Sequence, residues 1–545
     1  MSNALTKNKF FVVALMMLLV FGGLTFGNFP GQTAPSGIQT VDGTVYNFGD
    51  YTSMDHEMLG IFNYLDTLVS SDYQGYGEWD GWYAENFHGL HHYVLAFMAY
   101  TASFLFETTP GYRTDYYREF AYDLIKKMNT TQAEWGENSI EFKEWSHPDY
   151  NYVDYYYPND PEDPNAVFTG GFRGPANIMW TGHYALMETL YERSFNTGEF
   201  VDEITWFVED WENSLTTDGN GNPQEGGIWG TGLIPCEPYI VFVQCNSIPI
   251  TCTELYDSLY GTSYIENGMW DYGLDFINNV MQDDYDLPMD GYYVDTPTGS
   301  HYDPDRYQQV PGPAQSLYNP DASCKVSSYT NGWSLAFLEH IQPEVSQAEY
   351  PVFKDLFMKD VDANMAYMID TYNNPSGFGT MDILGTLFSM QLAKQMGDFS
   401  TRDRLVNFMY NNYNKVWSTD GRTMHYDTLS LEPFLQSVLG FGWIWAHAPH
   451  SIKDITDARP VEFWDYPYIS AADDGNIWVY QAEWDAAKHG FILNIQVDQE
   501  STLTFSNFDS TPTAYTCGIS LGQLELVGSN YELTLSPGTY QLVII

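Results

Sequence analysis

Positive charge is scarce in this chain. Its 545 residues carry 21 Lys and Arg against 72 Asp and Glu, a net charge of -51. A field of that sign repels DNA, RNA and anionic lipid surfaces, which excludes them as partners. Cysteine is scarce too. Five thiols (Cys236, Cys245, Cys252, Cys324 and Cys517) are too few for a disulfide framework, and an odd number leaves at least one unpaired. Long apolar runs are missing after residue 20, so only the N-terminal segment is a candidate for contact with a membrane. No Gly-rich nucleotide loop and no His-Glu-x-x-His helix occurs, which leaves no cofactor or metal signature.

What is abundant is aromatic and apolar. Hydrophobic residues make up 44% and aromatics 17% of the chain, including 43 Tyr and 16 Trp. That suffices for a large core and leaves aromatic surplus for a lined pocket. An acidic, Lys-poor surface suits a salty medium, where screening weakens self-repulsion. At the N-terminus, Lys7 and Lys9 precede the apolar run Phe10 to Val20, followed by Gly22, Gly23 and Gly27. Residues 1–29 read as a signal peptide or an N-terminal anchor, and the protein as exported.

From about residue 54 to 450 the apolar period is helical. Met58, Ile61, Phe62, Leu65 and Leu68 share one face, and Leu90 to Phe106 is apolar nearly all round. Further helices are predicted near 114–128, 177–192, 200–215, 246–260, 265–281, 327–341, 349–372, 380–397, 400–415 and 431–447. About twelve helices without intervening strands must bury their stripes on one another. Six antiparallel pairs closed into an all-α (α/α)6 barrel satisfy this over residues 30–455, and no fixed repeat favours a solenoid. After Pro460 the pattern turns to short β-type pieces, as in Ile477–Tyr480, Gly490–Val497 and Tyr540–Ile545. Residues 461–545 are therefore read as a small antiparallel β-domain, a sandwich. The loops 140–176 and 283–326 are long enough to be lids or interface elements.

Four segments hold the candidate chemistry. In Asn177-Ile-Met-Trp-Thr-Gly-His183, Met179 and His183 lie four apart and share a helix face. On its own the segment reads as well as a core histidine. In Ile234-Pro-Cys-Glu-Pro-Tyr-Ile-Val-Phe-Val-Gln-Cys-Asn246, prolines flank Cys236 and keep it out of a helix. Cys245 opens the next helix, where the macrodipole favours a thiolate. The two thiols, nine residues apart, can meet at one site or form a disulfide. Ser327-Ser-Tyr-Thr-Asn-Gly-Trp333 places Tyr329 at a helix start, and Asn63-Tyr-Leu-Asp66 puts a carboxylate beside an apolar face. Asp218-Gly-Asn-Gly-Asn222 lacks the closing acidic ligand of a calcium loop and reads as an Asx turn. His88, His91 and His92 have helical spacing but no companion carboxylate motif for a metal.

Taken together, these segments resemble the linalool dehydratase/isomerase family. The shared elements are Asn-Ile-Met-x-x-Gly-His, then Cys-Glu-Pro with Phe-Val-Gln-Cys-Asn, then Ser-x-Tyr-Thr-x-x-Trp, with Asn63-Tyr-Leu-Asp66 ahead of them. Gly397-Asp398 and His425-Tyr-Asp427 are weaker matches, and the resemblance spans about residues 54 to 447. It implies an (α/α)6 barrel, a homo-oligomer with pockets near its subunit interfaces, and cofactor-free addition or removal of water on an alkenol. It implicates Asp66, His183, Cys236, Cys245 and Tyr329 in catalysis, and Met179, Tyr73, Glu237 and Phe242 in binding substrate. Asp72 stands where the family has Tyr, with Tyr73 beside it and no cysteine following. Two other readings compete. A glycoside-processing toroid needs two carboxylates at the cavity mouth, and a non-catalytic ligand-binding module would use the cysteines as a disulfide.

Overall fold

Two kinds of helix alternate along the chain, and the difference lies in their side chains. The computed structural model describes residues 37–70, 91–129, 178–218, 221–236, 240–293, 300–303, 308–311, 315–316, 326–372, 380–428 and 434–545. Within them are twelve α-helices: α1 (His56–Ser70), α2 (His91–Thr108), α3 (Asp115–Met128), α4 (Ile178–Phe195), α5 (Val201–Thr216), α6 (Val243–Tyr260), α7 (Asp271–Asn279), α8 (Ser328–Leu338), α9 (Pro343–Phe357), α10 (Thr380–Gln395), α11 (Phe399–Tyr410) and α12 (Phe434–His447). The even-numbered helices are apolar or small-residue nearly all round and are buried on every side, α4 from Ile178 to Ser194. The odd-numbered ones keep one charged face, as α3 does with Asp115, Arg118, Glu119 and Lys126. A helix without a polar face belongs inside, and one with a polar face outside.

The packing follows that division. α2 packs on α4, α4 on α6, α6 on α8, α8 on α10, α10 on α12, and α12 returns to α2. Around them α3 lies on α2 and α4, α5 on α4, α9 on α8, α11 on α10, and α1 on α12. Small residues set the closest approaches. A Cβ at Gly385 of α10 would lie 1.9 Å from Ser328 Oγ of α8, and one at Gly182 of α4 would lie 3.0 Å from Cδ of Pro249 in α6. Caps fix where the helices begin. Ser327 accepts from Thr330 N at the start of α8, and Thr114 accepts from Tyr116 N at the start of α3. Among the described residues no helix is long and apolar enough to cross a membrane.

Two boundaries depart from the periodic reading. The helix expected over 349–372 starts earlier, with Pro343 in its first turn, and stops at Phe357. A hairpin of Met358–Asp360 and Ala366–Met368 follows, because Asp362 accepts from Asn364 N and turns the chain. The helix expected over 265–281 shortens to α7, since Gly268 sits at φ 82° in the preceding turn. Across the turn, the Asp218 carboxylate accepts from Asn222 N and Nδ2.

Beyond residue 467 two antiparallel sheets form, one of four strands and one of five. Strands Ile477–Asp485, Gly490–Val497 and Gly538–Ile544 run side by side in the larger sheet. Phe491 of that sheet meets Phe505 of the other edge to face at 5.7 Å. A division into a helical region from residue 30 and a β-region from 461 needs one correction. The N-terminal hairpin Ile38–Val41 and Thr44–Asn47 packs on the larger sheet, where Val41, Tyr46 and Phe48 bury against Ile492 and Val543. Gln39 and Gln481 add hydrogen bonds across that contact. The periodicity of a four-residue strand is too short to reveal its partner. The sheets also lie close on the helices: His56 of α1 packs against Trp417 and Trp478, and Gly111 N donates to Ala482 O.

Candidate active site

The two cysteines are brought together by one buried asparagine. Asn246, in the first turn of α6 and fully buried, donates from Nδ2 to the carbonyls of Ile234 and Phe242 and accepts from Ile234 N. It thereby ties the chain before Cys236 to the helix that carries Cys245. Pro235 holds the loop against α4, its carbonyl accepting from Ile178 N at 3.1 Å. Neither cysteine is in a disulfide, and both are almost wholly buried, with their sulfurs 2.8 Å apart. That is longer than the roughly 2.05 Å of a disulfide and places the two sulfurs in direct contact.

Tyr93, in the first turn of α2, joins this pair to the histidine. Its Oη lies 3.6 Å from Cys245 Sγ, and its ring meets the His183 ring edge to face at 5.2 Å. The other ring nitrogen position is set from behind: Tyr100 Oη lies 2.7 Å from His183 Nδ1. Trp333 and Phe97 close on the histidine at 5.4 Å each. Tyr329, in the first turn of α8, accepts from Gln244 Nε2 at 3.3 Å. Burial drives the phenols of Tyr93 and Tyr329 well above their ordinary value, and the thiols beside them add to the effect. Both are therefore neutral hydroxyls that can donate a hydrogen bond.

Beside these groups lies a cavity of about 80 Å3. α2 contributes Tyr93, Val94 and Phe97, α6 Gln244, α8 Tyr329 and Trp333, α10 Leu384 and Phe388, and α12 Val438 and Phe441. Its polar groups are few, namely two phenols, one amide and the indole, set in an apolar wall. Such a cavity suits a small and largely apolar molecule. Tyr93, His183, Gln244, Cys245 and Tyr329 all sit in the N-terminal halves of their helices, so the positive dipole ends converge on the cavity.

The fold gathers His183, Cys236, Cys245 and Tyr329. Met179 is buried on α4, one turn before His183, and Phe242 is half-buried at the N-cap of α6. Asp66 sits elsewhere. Its electrostatic neighbours are Asp123 and Glu119 of α3, and burial with those like charges raises it to about 6. Tyr73, Glu237 and His88 lie outside the described residues, and the side chains of His91 and His92 do too. The site contains two residues that lie in none of the motifs, Tyr93 and Phe97, and three motif residues to which sequence reading assigns no role, Gln244, Asn246 and Trp333. Tyr93, Phe97 and Trp333 fall in apolar helical stretches, where sequence spacing gives them the signature of core residues. Among the described residues no group of three or more His, Cys, Asp or Glu is placed to hold a metal ion.

Residues 227–296 match the family model of linalool dehydratase/isomerase. Among solved structures, the chain is similar to a family 105 glycoside hydrolase of C. acetobutylicum ATCC 824, at 9% identity over 71% of this chain and 99% of that one, with a TM-score of 0.41. It is similar also to unsaturated glucuronyl hydrolase of Bacillus sp. GL1, at 9% identity over 74% of this chain and 98% of that one, with a TM-score of 0.39. The chain is thus similar to the linalool dehydratase/isomerase family across the segment that carries Cys236, Glu237, Phe242 and Cys245.

Proposed function

We propose that the protein is a cofactor-independent hydro-lyase and isomerase of a small alkenol. The observation that carries this reading is the unbridged thiol pair, with sulfurs 2.8 Å apart, beside an aromatic cavity. The even-numbered helices, packed in a cycle from α2 to α12 and back, form the inner wall of a closed (α/α)6 toroid with that cavity at its axis. An exported homo-oligomer with N-terminal residues as its signal or anchor completes the reading.

The chemistry can be balanced with the groups present. The alkenol hydroxyl lies against the sulfurs and the Tyr329 phenol. One thiol gives its proton to the leaving hydroxyl, the C–O bond breaks, and water departs. The allylic cation that remains is stabilised by the faces of Phe97, Trp333 and Phe388. The other sulfur, as thiolate, takes a proton from the carbon next to the cation, which forms the diene. The pair has then exchanged its proton, and transfer across the short S–H···S contact resets it. The positive helix ends and the Tyr93 hydroxyl stabilise the thiolate. Return of the same water to the far end of the allyl system gives the isomer. His183, held by Tyr100, positions the Tyr93 ring.

The test is incubation of the full-length protein with C5 to C15 alkenols, followed by headspace analysis for dienes and by chiral chromatography for rearranged alcohols. Diene release from at least one tertiary allylic alcohol is expected. Absence of turnover on the whole series, with the fold intact and thiols reduced, overturns the reading.

A further inference from the structure

A second cavity, of about 190 Å3, lies where the helices meet the C-terminal sheets, away from the cysteine pair. Arg113, Thr114 and Arg118 line one side, Ser194 and Phe195 the end of α4, and Trp464 and Tyr468 the sheet side. Cations are rare in this chain, and two of its 21 converge on one hollow.

Arg113 is the unusual one. Its Nε donates to Pro110 O at 3.0 Å and its Nη2 to Phe463 O at 2.8 Å, which leaves Nη1 uncommitted among the described residues. Its guanidinium is stacked 3.9 Å from the Phe463 ring and 4.8 Å from the Tyr468 ring. Burial lowers it to about 10, so it stays charged at neutral pH. Among the described residues no carboxylate pairs with it, in a protein with 72 acidic residues. Arg193 and Arg459 nearby differ, since both pair with the Glu107 carboxylate. A half-buried guanidinium without a counter-charge favours an anion beside it. A second observation points the same way. Ser194 Oγ is 1% exposed, lines the same cavity and has no hydrogen-bond partner among the described residues. Other hydroxyls among the described residues share that condition, those of Ser328, Thr330, Tyr426 and Thr428, but none of them lines this cavity.

We propose that this cavity binds a small organic carboxylate, with the carboxylate on Arg113 Nη1 and Ser194 Oγ and a flat apolar body against Phe106, Phe195 and Trp464. A singly charged group fits better than a phosphate. Arg118 is already paired with Asp115 at 2.5 Å, so one free guanidinium is available, and a dianion would keep an uncompensated charge. A bound carboxylate would bridge α3 and α4 to the segment leading into the sheets.

The experiment titrates full-length protein with benzoate by calorimetry and thermal melting. Ionic strength is held constant with sodium chloride, because any salt stabilises so acidic a surface. One saturable site per chain is expected. Ser194→Ala should weaken it about three- to tenfold, the worth of one hydrogen bond. Arg113→Lys, which keeps the charge and loses the fork, should weaken it at least about tenfold. Alkenol turnover should be unchanged by Ser194→Ala. No signal beyond the chloride control overturns the proposal, as does equal affinity in wild type and Ser194→Ala. Sulfate binding as tightly as benzoate overturns the assignment of a carboxylate with an apolar body.

Discussion

At the scale of the residue, the site divides into what spacing reveals and what only packing reveals. Cys236, Cys245, His183 and Tyr329 stand out in the sequence because prolines, helix starts and motif order mark them. Tyr93 does not, since it opens a helix that is apolar nearly all round and reads as core. Its hydroxyl nevertheless reaches Cys245 Sγ at 3.6 Å. Tyr93→Phe keeps the ring against His183 and removes that hydrogen bond. Turnover should fall about 10- to 100-fold, the worth of one hydrogen bond to a charged sulfur, with the melting temperature shifted by less than about 2 °C. Wild-type turnover in the purified variant contradicts a role for the hydroxyl. Asp66 shows the opposite case, a carboxylate that the motif singles out and the fold sets against Asp123 and Glu119. Its folded value, about 6, lies above the ordinary 3.8, so the folded state keeps a proton that the unfolded chain has already released. Stability from this group is therefore present at low pH, falls as pH rises from about 4 to 6, and is a standing cost above that. Asp66→Asn should remove this slope and raise the melting temperature above pH 6 by about 1–3 °C. Melting curves from pH 4 to 8 check the sign, and a lowered melting temperature at pH 7 refutes it.

At the scale of the element, the alternation of all-apolar and one-faced helices was legible because inner and outer positions demand different residue patterns. The helix list fails where two short elements share one apolar stretch. Residues 349–372 carry a continuous helical period, yet the Asp362–Asn364 turn divides them into α9 and a hairpin. Close approach between helices is legible only in part, since a glycine does not announce its neighbour. Gly385 admits the Ser328 side chain at a distance no Cβ tolerates, one residue from Tyr329. Gly385→Ala must turn the Ser328 hydroxyl aside and press on Ser328 Cβ and Tyr329 N, at 3.0 and 3.2 Å, which strains the contact between α10 and α8. A loss of about 1–3 kcal/mol in chemical denaturation is expected. An unchanged midpoint shows that the two helices can separate freely, contrary to this packing.

At the scale of the whole molecule, the chain presents -51 charges around an aromatic-rich interior. The surface term is tunable from outside. At about 0.01 M salt the Debye length is roughly 30 Å and at 1 M roughly 3 Å, so repulsion between carboxylates fades over that range. Melting temperature and sedimentation coefficient should both rise with sodium chloride, and flat profiles would remove acidity as a limit on folding and assembly. Charge excess and the helical and β-regions were legible from composition and period, whereas the docking of the N-terminal hairpin on the sheets was not, because it joins segments more than 400 residues apart. The reaction proposed for the interior rests on two sulfurs whose segments Asn246 ties together. The direct measurement is alkenol turnover, by headspace analysis, in the wild type, Cys236→Ala and Cys245→Ala under reducing conditions, each with its melting curve. The account predicts that either substitution lowers turnover at least about 1000-fold while the melting temperature moves by only a few degrees. Turnover retained in either variant, with a large drop in melting temperature, would contradict it and make the pair a structural element.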